Sequence, residues 1–378
     1  MTGRILAKSP AHGQQISLEQ HTRDVVDAAE IMFGCCSGPT ALALRWLAFF
    51  RIPQQAFPKF AANLLLSCCF HDLGKANDGF AAMLYRRGSQ LIRHEHLSAL
   101  ILWLRLRGWL ESLDPSGVDP ELVISAVVCH HLKVSEETFA AKCADVSRGA
   151  ASVRLGSEDV SAVLKLAATS LGAPPATLNL TDERWDFDES ISEAADELKS
   201  HMHRFEKACR EDELRHRLLV AVKAALIAAD SAGSAIRREG LDLEAWLGSI
   251  FNVEPLTAER IERDVINPRV EQLKANGSWR GDFDDFQKAA ADLPDRALLL
   301  AGCGSGKTLA AWKWIAAQVE KHQASRVLFL YPTRGTATEG FRDYVSWAGP
   351  SDSALFHGTA EYDLEGMFGN PDERAHFD

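Results

Sequence analysis

None of the eight cysteines is spaced as a CxxC pair: Cys35-Cys36, Cys68-Cys69, Cys129, Cys143, Cys209 and Cys303 stand in adjacent twos or alone, several within apolar helical runs. That excludes a zinc site and a disulfide framework, and leaves small core thiols in a reducing cytosol. An apolar segment of signal-peptide length is missing from residues 1–10, so export is not expected. Long hydrophobic runs are missing too. Leu64 to Phe70 and Leu218 to Ala229 are broken by charge or are shorter than a bilayer requires, which predicts a soluble, cytoplasmic chain with no membrane partner. Positive charge is in deficit, with 41 Lys+Arg against 52 Asp+Glu and a net charge of −11. Such a balance argues against coating duplex DNA by bulk charge, while leaving room for a local basic groove.

Period-two alternation is almost absent from His21 to about residue 250, where apolar positions recur three and four apart; this half is expected to be all-α. The pattern predicts helices near 17–33, 40–51, 58–72, 78–86, 94–108, 120–132, 135–144, 158–171, 187–210 and 212–238. At 378 residues the chain is long enough for about two or three domains. Beyond Asn252 the composition turns polar, and Thr257 to Asn276 reads as a charged helix before Gly277-Ser278-Trp279. The expected division is therefore a domain at 1–255, a linker at 256–280 and a second domain at 281–378. In the last of these, apolar runs at Ala297 to Ala301 and Val327 to Tyr331 flank a helix-forming stretch, Thr308 to Lys321, which predicts a parallel α/β sheet.

The first half is organised around Phe70-His71-Asp72-Leu73-Gly74-Lys75. A His-Asp pair offers one nitrogen and two oxygens to metal ions. Further donors lie on other predicted helices: His21, His94 with His96, His130-His131, and Asp230. Singly, each histidine reads as a hydrogen-bonded core or surface residue; the ordered set reads as ligands for two metals. Imidazole suits first-row ions, and a carboxylate can bridge two of them closely enough to act on one phosphate. Helical neighbours project about a quarter-turn apart, so His130 and His131 reach one cluster only from a helix end or flank.

These residues resemble the HD phosphohydrolase superfamily, and within it the nuclease domain of the CRISPR-associated helicase-nucleases of type I systems. The likeness runs from His21 to Asp230 through His71-Asp72-Leu73-Gly74-Lys75, Phe80, Arg93-His94-Glu95-His96-Leu97-Ser98-Ala99 and His130-His131. It implies that Asp72 bridges two divalent transition metals (Mn, Ni, Co or Fe). His21, His71 and Asp230 then favour one ion, and His94, His130 and His131 the other. His96 would be an outer or helix-surface residue, and Lys75 would face the phosphate or brace a ligand.

Ala301-Gly302-Cys303-Gly304-Ser305-Gly306-Lys307-Thr308 follows an apolar run and precedes a helix, the context of a phosphate-binding loop. Gly302, Gly304, Ser305 and Gly306 let backbone N–H groups crowd a phosphate, Lys307 reaches the β/γ oxygens and Thr308 ligates Mg²⁺. With Ala301 where the strict pattern wants glycine, the loop resembles that of superfamily 2 helicases. Gln287, twenty residues before Lys307, resembles their adenine-reading glutamine, and Tyr331-Pro332-Thr333-Arg334-Gly335-Thr336-Ala337 resembles a motif that touches the DNA backbone. No Asp-Glu-x-His after an apolar strand is present; Asp372-Glu373-Arg374-Ala375-His376 follows Gly369-Asn370-Pro371, which cannot be a buried strand. A basic set, Arg86-Arg87, Arg93, Arg105, Arg107, Arg204, Lys207, Arg210, Arg215 and Arg217, reads as a solvated face or as a track for a strand's phosphates.

The resemblance thus implies an α+β multidomain chain: an all-α HD-type domain followed by an incomplete α/β RecA-like P-loop lobe. The expected activity is metal-dependent hydrolysis of single-stranded DNA in CRISPR defence, with weak ATP/Mg binding and Cascade, the guide-RNA surveillance complex, as partner. A nucleotide phosphohydrolase or a non-catalytic regulatory fragment are the alternatives.

Overall fold

Capping residues set where the first helices begin. Ser17, Thr40, Asn77, Asp119 and Ser157 each accept a hydrogen bond from the backbone N–H three residues on, satisfying a donor that the first helical turn cannot. The computed structural model describes residues 4–8, 15–85, 92–113, 117–131, 150–174, 180–186, 189–239, 242, 244–246, 248, 254–302, 304–350, 353–360, 363–364 and 367. The helix expected at 135–144, together with Arg86-Arg87, Cys143, Cys303 and residues 369–376, lies outside them.

Two compact units divide the chain, Met1–Ile250 and Phe251–Asp378. The first contains α1 (Leu18–Phe33), α2 (Ala41–Phe49), α3 (Phe57–Phe70), α4 (Asp78–Leu84), α5 (His94–Ile101), α6 (Arg107–Ser112), α7 (Pro120–Val128), α8 (Glu158–Ser170), α9 (Glu189–Glu211) and α10 (Glu213–Glu239). A π-helical turn, Leu102–Leu106, joins α5 to α6. Helices α1, α3 and α10 pack on one another, and α7 packs on α3, α5 and α10. Their shared core includes Val25, Phe33, Phe60, Leu64, Leu100, Val127, Val222 and Leu226, all buried.

The all-α expectation needs correction at one place. Ala150–Val153 (β1) and Glu183–Asp186 (β2) form an antiparallel pair in which Ala150 faces Asp186 and Val153 faces Glu183. Strands of four residues are too short to show alternation. Asn77 bridges to Val153, and Arg154 donates its N–H to Ala76, so the pair is anchored beside the His71-Asp72 turn. Arg105 holds the other strand through a two-pronged pair with Glu183 at 2.9 and 2.7 Å.

One described stretch, 213–235 within α10, is long and apolar enough by composition to cross a membrane, where none was expected. Half of its apolar window is buried inside the unit, and Leu218, Val222, Leu226 and Ala229 are core residues. Cys68, Cys69 and Cys209 are also buried. Burial pushes the Cys69 thiol up to about 12, as befits a protonated core side chain.

In the second unit the stretch expected as a linker is structural. Ala258–Ile261 (α11), a π turn at Glu262–Ile266 and Asn267–Ala275 (α12) follow one another, and Ile261, Val265, Ile266 and Val270 enter its core. Asp285–Ala289 (α13), Lys307–His322 (α14) and Arg334–Ala348 (α15) complete its longer helices. The parallel strands expected at 297–301 and 327–331 carry no strand pairing among the described residues. Leu298, Leu300, Leu328 and Leu330 are exposed. A parallel strand buries its apolar run only between neighbours on both faces, and no such cover is described here.

Candidate metal centre

Helix α3 ends at Phe70, and the backbone N–H of His71 still reaches Ser67 O at 3.0 Å. The chain then leaves the helix at Asp72 (φ −105°, ψ 6°) and tightens into a 3₁₀ turn, Leu73–Lys75. His130 and His131 similarly lie just beyond α7, which ends at Val128 instead of running to 132. Both pairs were expected inside helices. Past a helix end, consecutive side chains are released from their divergence of about 100° and can converge. The rings of His130 and His131 stand 4.1 Å apart between centroids.

Three helices bring the remaining donors inward. His21 comes from α1, Asp230 from α10 and His94 from the first position of α5. The structure draws two groups together, His21, His71 and Asp230 on one side and His94, His130 and His131 on the other. Asp72 lies between them, 2% exposed. Its Oδ2 faces His21 Nε2 at 3.1 Å and His71 Nε2 at 3.4 Å; its Oδ1 faces His94 Nε2 at 3.2 Å and His130 Nε2 at 3.8 Å. Asp230 Oδ1 closes the first group at 3.2 Å from His21, and His131 Nε2 closes the second at 3.0 Å from His94 Nε2.

The donor chemistry fits divalent ions. The Nε2 atoms of His71 and His130 are buried and make no hydrogen bond. Their opposite nitrogens face helical carbonyls, Nδ1 of His71 at 2.8 Å from Cys68 O and Nδ1 of His130 at 2.7 Å from Val127 O. Each ring is thus fixed with Nε2 aimed at the centre, the arrangement by which outer partners set a ligand's tautomer. His96 is fully buried and belongs to neither group, so it is not a helix-surface residue.

Electrostatics follow from burial against charge. Burial would raise the Asp72 carboxyl, but the nearby Lys75 and His71, with a hydrogen bond from His21, hold it well below its ordinary value. Asp230 behaves alike: burial opposes its ionisation, and His21 and His71 overcome it. Burial disfavours a charged His71, yet Asp72 and Asp230 push it up to about 10. His130 goes the other way, lowered by burial and by its neighbour His71. An ion held by His71 would thus bind in competition with a proton.

Several supporting residues carry the geometry. Lys75 is buried, with Nζ 2.5 Å from Asp72 Oδ2 and 5.5 Å from the Phe80 ring centroid, so it braces the bridging carboxylate. Ser98 was not anticipated: its Oγ accepts the Gly74 N–H at 2.7 Å and donates to His71 O at 2.9 Å, clamping the turn to α5. Glu95, also unanticipated, is fully buried beside His94. A hydroxyl and a carboxylate on the helix that carries His94 were the only sequence signals for either. Of the basic set, Arg105, Arg107, Arg215 and Arg217 are engaged by Glu183, Glu111, Asp119 and Glu213. Ion-paired in this way, they belong to the helix scaffold more than to a phosphate track.

In the second unit the loop at 301–306 leads into α14. Lys307 Nζ donates to the carbonyls of Ala301 and Gly302 at 2.9 and 2.6 Å, Ser305 Oγ donates to Gly302 O at 2.8 Å, and Thr308 is exposed. Gln287 is buried, not an exposed helix residue. Its Oε1 accepts the Asp284 N–H at 3.0 Å and its Nε2 donates to Gly306 O at 3.2 Å.

Comparison with known proteins gives a family and a relative. The family described as "Cas3, HD domain" matches residues 6–238, a stretch that holds every donor from His21 to Asp230. The chain is also 33% identical over 387 residues to a Myxococcus xanthus (strain DK1622) protein named "Putative CRISPR-associated nuclease/helicase Cas3", covering 98% of this chain and 48% of that protein. The chain spans about half the length of the curated relative it matches. No solved structure matches it.

Proposed function

Because this chain belongs to the Cas3 HD-domain family, we propose that its first unit is a metal-dependent nuclease of CRISPR defence that hydrolyses phosphodiester bonds of single-stranded DNA. The observation that carries the reading is the division of Asp72: one oxygen faces each histidine group, and buried imidazole nitrogens without hydrogen bonds point between them. His21, His71 and Asp230 would hold one divalent ion, His94, His130 and His131 the other, with Asp72 shared. Bound there, two such ions supply charge neutralisation on the phosphate oxygens and a water that ionises near neutral pH.

The protein's own groups do the rest. His71 and His130, oriented by Cys68 O and Val127 O, keep Nε2 free for ligation. Asp72 stays ionised in a buried position because Lys75 lies against it. The Lys75 ammonium, on the turn that carries both His71 and Asp72, is the catalytic cation we assign beside the incoming phosphate. No covalent protein nucleophile is required.

We read the second unit as the beginning of a RecA-like helicase lobe, in keeping with the nuclease/helicase name of the Myxococcus relative. ATP with Mg²⁺ would take the backbone and side chains of Gly302, Gly304, Ser305, Gly306, Lys307 and Thr308, with Gln287 holding the loop through Gly306. Cascade is the partner that would deliver the strand.

Elemental analysis after reconstitution with Mn²⁺ or Ni²⁺ tests the centre, and about two ions per chain are expected. A gel assay with labelled single strands, duplexes and free nucleotides tests the substrate. Metal-dependent cutting of single strands, abolished by chelation, supports the reading; turnover of free nucleotides alone, or no metal uptake, overturns it.

A further inference from the structure

Three of the candidate ligands show how their rings are oriented, and one of them differs from the others in kind. His71 and His130 each follow a helix, so a carbonyl three residues back lies within reach of Nδ1. His94 opens its helix as the first residue of α5, so no preceding helical turn offers it such a carbonyl. The polar atom facing His94 Nδ1 is instead Glu95 Oε2, at 3.5 Å.

Glu95 is an unusual residue to find there. Its side chain is fully buried, on a helix whose next residues, His96 to Ile101, are all buried too. The Arg93 guanidinium lies against Oε1 and offsets the charge, whereas Oε2 makes no hydrogen bond. Arg93 accounts for Oε1, and the buried Oε2 left without a hydrogen-bond donor is costly and needs a reason. Its own neighbour His94 supplies one, because imidazole needs its non-ligating N–H accepted if the other nitrogen is to carry the lone pair.

We propose that Glu95 is the positioning residue for His94, accepting its Nδ1–H so that Nε2 is presented to the ion held with His130 and His131. This rests on the two-ion reading of the centre and deepens it by making the two halves unequal. His71 and His130, one in each half, take their orientation from backbone, which mutation cannot remove. His94 alone of the three depends on a side chain. A carboxylate partner also raises the basicity of the ligand it touches, so Glu95 sets affinity as well as direction.

The test is a stepwise Mn²⁺ titration of the whole chain by calorimetry or equilibrium dialysis, on wild type, Glu95→Gln, His94→Ala and the double variant. Glu95→Gln is expected to weaken one of the two binding steps on the order of 10–100-fold and leave the other unchanged. On the His94→Ala background it should change nothing further. Equal weakening of both steps, no weakening, or a full effect without His94 each overturns the proposal. Wild type that takes up no ion overturns the two-ion reading and this inference with it, whereas two ions bound with unaltered steps in Glu95→Gln overturns only the role of Glu95. A second measurement needs no variant at Glu95: long-range ¹H–¹⁵N spectra of the Zn²⁺-loaded wild type should show His94 protonated at Nδ1, and ligation through Nδ1 refutes the assignment.

Discussion

Asp72 is the residue on which the centre turns, because each of its oxygens faces a different group of histidines while its charge is held by Lys75. Asp72→Asn keeps the shape and removes the charge. An amide bridges two cations poorly, and losing several kcal/mol of charge stabilisation corresponds to about a thousandfold in rate. The expected outcome is single-strand cleavage lowered by that factor or more, with both ions lost on dialysis. Normal metal content with normal cutting would place the chemistry elsewhere. His71 gives a second prediction at this scale, for the chelated protein. Its folded pKa of about 10 exceeds the ordinary 6.5, so its contribution is fully present below about pH 6.5 and is lost as pH rises towards 10. Asp72 and Asp230 are depressed, so theirs is present above about pH 4 and is lost on acidification. His130, also depressed, adds to the acid-side loss below about pH 6.5. The Tm of metal-stripped protein should therefore peak near pH 6.5 and decline on both sides. Metal should flatten the alkaline decline, since a ligating His71 carries no proton. A Tm that climbs from pH 7 to pH 9 after chelation would contradict this.

Between residues and domains, the centre depends on how closely elements approach. A Cβ at Gly74 would stand 2.1 Å from His94 O and 2.6 Å from Ser98 N, and one at Gly233 would stand 2.9 Å from the backbone of Asp24. These glycines let the His71-Asp72 turn sit on α5 and α10 sit on α1. Gly74→Ala and Gly233→Ala should each cost about 1–3 kcal/mol by overpacking. Gly108→Ala, in α6 with nothing within 4 Å, should instead stabilise by about 0.4–1 kcal/mol. Thermal or urea unfolding of the three variants checks the signs, and a neutral Gly74→Ala would mean that the turn and α5 are looser than described. Approaches of this kind leave no trace in hydrophobic periodicity, and the same is true of much else at this scale. Helices α1, α3, α5 and α10 were legible because their apolar faces recur three and four apart. Where α3 and α7 stop was not, since nothing in Cys68 to Lys75 or Val127 to His131 breaks the apolar pattern before the chain turns. The β1–β2 pair was hidden by its length. The runs at 297–301 and 327–331 show the reverse case, strand-like in sequence and exposed in the structure, because pairing depends on neighbours that local sequence does not contain. For the centre, the donors could be named from a ligand pattern, but the burial of Glu95 and the clamp of Ser98 arise only when α5 meets the turn.

At the scale of the whole molecule, two units with separate apolar cores divide the residues to which the proposed chemistry is assigned. Both histidine groups belong to Met1–Ile250, and the loop proposed to take ATP belongs to Phe251–Asp378. Their apolar clusters share no residue, the second being built on Ile261, Ile266, Leu309, Trp312 and Val319. A substitution in the loop therefore leaves the apolar cluster around the metal centre unaltered in composition. Lys307 is the informative position, because its ammonium now donates to Ala301 and Gly302 and would turn to ATP. Lys307→Ala removes a cation without touching either core. Cleavage of single-stranded DNA in the absence of ATP should be unchanged in this variant, within the scatter of the assay, and so should the metal content. Retention on immobilised ATP should fall, since the β/γ oxygens lose their positive partner. Intact duplex should remain largely uncut by either protein, because the site lies between helices, where a flexible strand can bend in more easily than a duplex. Equal rates on duplex and single strand would overturn the assignment of substrate. Loss of cutting in Lys307→Ala, with metals still bound, would show that the loop acts on the nuclease itself and that the units do not work independently.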